Sequence, residues 1–268
     1  MEASSIRRAS RHNMILGLRI RIFNCVVVAA LLGDGSLLST RASAQTKQQL
    51  NSCVNKDHNY SVDQQIAGCT AAIASGRQTK HNLAISFNNR GSAYFENADN
   101  DRAIADFNRS IQINPGAALT YFNRGVAYLY AGAVPKALAD LNRASALDPK
   151  DAFTALWLDI ISKRSNLAGR LAEATRQVDM TKWPAPIIRF YLGQMTPEAV
   201  LAAADNPNAT TKIDQVCGVN FFSAELALQR GAKDEAARSF RLAVAGCRRG
   251  WNEWAAANAE LKALGANP

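Results

Sequence analysis

Residues 84–117 read AISFNNRGSAYFENADNDRAIADFNRSIQINPGA, and residues 118–151 read ALTYFNRGVAYLYAGAVPKALADLNRASALDPKD. Laid over each other at an offset of 34, the two agree at twelve positions. These are Ala84/Ala118, Asn89/Asn123, Arg90/Arg124, Gly91/Gly125, Ala93/Ala127, Tyr94/Tyr128, Ala103/Ala137, Ala105/Ala139, Asp106/Asp140, Asn108/Asn142, Arg109/Arg143 and Pro115/Pro149. Each copy reads as two helices. Gly91 and Ala103 suit the point where those helices touch, because a larger side chain would force them apart. Tyr94 and Phe107 fill the space beside the contact. Pro115 cannot continue a helix and marks the start of the next unit. One such pair cannot bury its own apolar face, so further helix pairs must stack on it.

The period, with its small, aromatic and Pro marks, resembles the tetratricopeptide repeat. The marks here are Phe87, Gly91, Tyr94, Ala103, Phe107, Ser110 and Pro115, then Tyr121, Gly125, Tyr128, Ala137, Leu141, Ala144 and Pro149. The resemblance implies an all-α fold: a right-handed superhelix of antiparallel helix pairs, closed by a C-terminal capping helix. Abundant Ala and scarce β-branched runs agree with an all-α chain.

The first 44 residues are different in kind. Five arginines (Arg7, Arg8, Arg11, Arg19, Arg21) precede the short apolar run 22–32, and Ala42-Ser43-Ala44 precedes Gln45. This is the pattern of a secretory signal peptide cleaved after Ala44. Cys25 follows Ile22-Phe23-Asn24, and Asn24 is not the small residue a lipoprotein signal needs. An uncleaved anchor is the alternative. The chain carries a net charge of +9; without residues 1–44 it has 25 basic and 20 acidic residues, a net +5. That is mild, and no nucleic-acid-binding signature accompanies it.

Repeat-like helices extend on both sides of the two clear copies, giving repeats over 45–184 and a repeat-like region with a cap over 185–268. In the first of these, Ser61 and Gln64 make a capping box. A third copy from Ala152 predicts helices over 152–163 and 167–178, with its marks eroded: Asp159 replaces the Gly and Ser162 the Tyr. A break is expected at 183–186, a short helix after Thr196, a long one over 211–230, and a last amphipathic helix over 251–264. On the repeat alignment, Cys53 falls at the Gly91 position and Cys69 at the Phe107 position, which face each other across a pair. Cys217 and Cys247 fall at the meeting ends of another pair. The repeat reading therefore implies disulfides Cys53–Cys69 and Cys217–Cys247, as an exported chain allows. Residues 217–265 also look like the end of periplasmic repeat proteins related to cell-envelope adaptors, which dock peptidoglycan hydrolases and proteases.

Catalytic and metal motifs are missing: His58 and His81 stand alone, and there is no phosphate loop, nucleophile elbow or zinc spacing. No cofactor is expected. The carboxylates read as solvated helix faces. The repeat resemblance implies a concave groove for a protein or peptide, lined by the first helix of each pair: Asn88, Ser92 and Phe95, then Phe122, Val126, Leu129 and Tyr130, then Trp157. Ile85, Leu119 and Phe153 extend this wall, and Lys163 and Arg164 give it a basic edge. The expected function is a non-catalytic periplasmic scaffold binding a partner there. A homodimer through the open end of the stack, or through Trp251 and Trp254, is a second reading. A cell-wall enzyme with an unrecognised site is a third. The groove could also be covered by the chain's own C-terminal helices.

Overall fold

The computed structural model describes residues 48–55 and 59–267. The signal peptide expected over 1–44, with Cys25, lies outside them. The described residues belong to one compact unit, Thr46–Pro268, and are all-α with no strand among them. The helices are α1 (48–54), α2 (Val62–Ala74), α3 (Lys80–Glu96), α4 (Asn100–Ile113), α5 (Ala118–Tyr130), α6 (Val134–Leu147) and α7 (Ala152–Arg164). The short α8 (Leu171–Ala174), α9 (Ala185–Tyr191) and α10 (Pro197–Ala203) follow, then α11 (Ala209–Gln229), α12 (Lys233–Gly246) and α13 (Asn252–Ala263). The pairs α3–α4, α5–α6 and α11–α12 pack most extensively, and successive pairs stack through α2–α3, α4–α5 and α6–α7. This is a helical-repeat solenoid.

The repeated residues now have physical roles. A Cβ on Gly91 would stand 2.8 Å from Phe107, and one on Gly125 would stand 3.0 Å from Leu141. A side chain at Gly91 would force Phe107 to shift, and one at Gly125 would press on Leu141. Arg90 forms a two-pronged ion pair with Asp106 at 2.7 and 2.8 Å, and Arg124 repeats it with Asp140 at 2.6 and 2.7 Å. Arg124 also donates to Asn108 Oδ1 of the preceding pair, at 2.6 Å. Two-pronged guanidinium–carboxylate pairs fix orientation as well as adding energy. Three of the identities, Arg90/Arg124, Asp106/Asp140 and Asn108/Asn142, therefore fall at positions of this brace.

The third copy loses the brace, because Leu158 and Ala174 stand at the Arg and Asp places. Its first helix, α7, forms where expected. Its second does not run over 167–178; only the single turn α8 forms. The chain reverses at Asn166 (φ 56°), and Gly169 then lies so close to Asp159 that a Cβ would overlap its carboxylate. Asp159, standing where the repeat has Gly, takes the room a second helix would need. The expected break at 183–186 is also corrected. Pro186 sits in the first turn of α9, where its missing N–H costs nothing. The caps at Ser61 and Thr196 form as their sequences require.

Both cysteine pairs are joined. Cys53–Cys69 spans 16 residues and ties α1 to α2, and Cys217–Cys247 spans 30 and ties α11 to the end of α12. Bridges of this kind persist in oxidising compartments. Closing a loop of the first size contributes about 3 kcal/mol in the chain-entropy account. Reduction should therefore open α1–α2 first, because the bridge is what ties α1 to α2. Hydrogen exchange before and after reduction will show lost protection at 48–74 ahead of α3–α6. No helix among the described residues is long and apolar enough to cross a membrane.

Candidate functional site

The first helices α3, α5 and α7 bring their expected groove residues onto one wall. Asn88, Phe95, Phe122, Val126, Leu129 and Trp157 are all buried, and Ser92 is half-buried. Tyr130 is half-buried, but its hydroxyl is shut off from solvent. Phe95 meets Tyr130 at 6.1 Å between ring centroids, and Phe122 meets Trp157 edge-on at 6.2 Å. Trp157 is 0 % exposed. It stacks on Phe221 of α11 at 5.2 Å and meets Phe222 at 6.5 Å. As an open partner surface the wall is thus corrected: the chain itself covers it. Only its rim stays open, at Ile85 and Leu119, which are 40 % and 63 % exposed.

The cover is α11 and, across the concave side, α13. The last helix packs on α12 and also reaches α3, α5 and α11. Its N-terminal end joins an amide ladder. Asn252 Nδ2 donates to Asn123 Oδ1 at 3.1 Å, and Asn123 Nδ2 donates to Asn88 Oδ1 at 3.1 Å. Ala256, Ala257 and Leu261 are fully buried. The two alanines let the helix lie close against its neighbours. Trp254 is only half-buried, with the Arg249 guanidinium 5.4 Å from its ring centroid. The side that faces inward instead carries Glu253 and Glu260, spaced seven residues apart with Ala257 and Leu261 between and beside them.

These carboxylates are not on a solvated face. Glu260 is 6 % exposed and Glu225 of α11 is 0 % exposed, and both meet one guanidinium. Arg164 Nη2 lies 2.7 Å from Glu225 Oε2 and 2.7 Å from Glu260 Oε1. Burial opposes the Arg164 charge, but Glu225, Tyr130 and Glu260 outweigh it, so the guanidinium stays charged. Burial pushes the Glu225 carboxyl up to about 7, with Arg164 opposing and Glu260 adding to the rise. Glu253, beside the Trp157 indole, is likewise raised by burial. Glu96, at the end of α3, is raised to about 6 by burial, with Arg249 opposing. Arg164 was legible as a basic edge of the groove; Glu225, Glu253 and Glu260 were missed. The i, i+4, i+7, i+8 spacing of Glu253, Ala257, Glu260 and Leu261 was the available signal.

Arg164 and Glu225 also line a cavity of about 620 Å³ with Lys163, Leu226, Leu228, Gln229 and Arg230. Its cations are already engaged: Lys163 with Asp159 at 2.7 Å and Arg230 with Glu235 at 3.2 Å.

Residues 91–158 match the family model described as tetratricopeptide repeat. The stretch from Gly91 to Leu158 thus carries tetratricopeptide repeat sequence. Among solved structures, a crystal structure of a tetratricopeptide repeat protein from Parabacteroides merdae is similar at 18 % identity. It covers 81 % of this chain and 82 % of its own, with a TM-score of 0.45. No curated protein matches the sequence. Tetratricopeptide repeat domains as a class are non-catalytic scaffolds that bind protein partners.

Proposed function

We propose that this protein is an exported, non-catalytic scaffold that holds a partner helix or peptide in its repeat groove when α13 vacates it. The observation that carries this reading is the groove's present occupant. A helix already lies across the first helices of the pairs, joined to them through Asn123 and Arg164. A surface that seats α13 by main-chain-independent contacts can seat another helix of matching shape. The binding residues are Asn88, Ser92, Phe95, Phe122, Val126, Leu129, Tyr130 and Trp157. The leader at 1–44 and the two disulfides support a periplasmic setting, where mature protein should begin at Gln45. The likeness of 217–265 to cell-envelope adaptors points to a cell-envelope enzyme as the partner.

The test is a photo-crosslinker placed at Ser92, which is half-buried and contributes no bridging contact. Full-length protein in cells should yield a discrete crosslinked partner. The same protein with α13 chemically tied down, through N123C and N252C joined by a short bis-maleimide, should lose that product. An unchanged crosslink in the tied protein would remove the groove from the partner site.

A further inference from the structure

The groove's closure places two carboxylates on one cation. With α13 away, Arg164 and Glu225 form a one-to-one pair between α7 and α11. When α13 docks, Glu260 joins them and the buried group gains an excess negative charge. Charges withdrawn from water are tolerated only when balanced, and an unbalanced carboxylate takes up a proton instead. Among the described residues no further cation supplies the balance. Lys163 is committed to Asp159 at 2.7 Å. Arg230, at the cavity mouth, is exposed and pairs with Glu235. The remaining neighbours are Tyr130 of α5, whose hydroxyl is buried without a well-formed hydrogen bond, and Tyr191 of α9, which donates to the Phe222 carbonyl at 2.9 Å. Neither brings positive charge.

We infer that α13 is a proton-linked plug: docking Glu260 beside the Arg164–Glu225 pair is coupled to proton uptake, so the groove closes in acid and opens as the proton leaves. This rests on the groove being the partner site. The raised Glu225 supplies the direction. A carboxyl raised in the docked state stabilises that state below its ordinary value near 4.5, and the gain is lost as pH rises towards about 7. Glu253, on α13 itself beside Trp157, is raised by burial and acts in the same sense. The segment 247–251 that joins α12 to α13 is short, so the released helix stays near the groove and closure is reversible.

Hydrogen exchange on the full-length, disulfide-intact protein tests this, with each amide's protection taken relative to its intrinsic rate at that pH. The protection of 252–263 should fall at least tenfold between pH 5 and pH 8, while that of α3–α6 holds. E225Q and E260Q should each flatten the dependence. Flat protection of 252–263 in the wild type would overturn the inference, and so would an equal fall across α3–α6 or an unaltered fall in both variants. If either variant does not fold, the wild-type profile decides alone. A flat profile alongside a groove crosslink from Ser92 would sink the plug and leave the scaffold standing. A steep profile with no crosslink would do the reverse.

Discussion

Trp157→Ala should lower the unfolding free energy by about 3–5 kcal/mol, the range for removing a fully buried aromatic from a core. Trp157 is 0 % exposed and contacts Phe122, Phe221 and Phe222. Truncating it leaves a void bordered by α5, α7 and α11, helices held in place by other contacts, so little collapse can follow. An exposed partner anchor would behave differently, losing binding but leaving stability almost unchanged. Urea unfolding at one pH, followed by circular dichroism, separates the two. A loss under about 1 kcal/mol would show that the wall is not core. The same reasoning warns against using Trp157→Ala as a binding mutant, since any lost partner would reflect a loosened fold.

Arg164→Leu should cost about 3–5 kcal/mol at pH 8, because it strands two buried carboxylates without their cation. Glu225 is 0 % exposed, so without the guanidinium its carboxyl must be neutral or displaced. The cost should shrink towards pH 5. With the guanidinium gone, the Glu225 carboxyl rises beyond its present value near 7. A carboxyl raised in the folded state contributes least at high pH, so the variant's stability should fall with pH more steeply than the wild type's. Urea midpoints at pH 5 and pH 8 for both proteins will show this. An equal loss at the two pH values would mean that packing of the Arg164 stem, rather than charge, carries the effect.

The repeat was legible because its marks serve local geometry. Gly91 against Phe107, Gly125 against Leu141 and the caps at Ser61 and Thr196 each need particular residues at fixed spacing, and a sequence shows spacing directly. The disulfide pairs followed from the same period, since it placed each cysteine against its partner across a helix pair. The second helix of the third copy was not legible. Its loss depends on the carboxylate of Asp159 meeting Gly169 after a reversal at Asn166, which no periodicity encodes. The burial of the expected groove residues was not readable. What covers them is α11, through Phe221 and Phe222, and α13, joined through the distant pairs Asn252–Asn123 and Glu260–Arg164. Such contacts link different periods of the sequence, and Glu260 by itself looks like any surface glutamate. The buried carboxylates were hidden for that reason.

The central claim is that α13 occupies the concave groove beside Asn123. Residues 123 and 252 face each other across the α5–α13 contact, so N123C/N252C reports position directly. Treatment of the monomer with a short bis-maleimide at pH 5, followed by peptide mass mapping, should recover the two sites joined within one chain. Recovery of both sites singly modified, or joined only between chains, would contradict the closed groove.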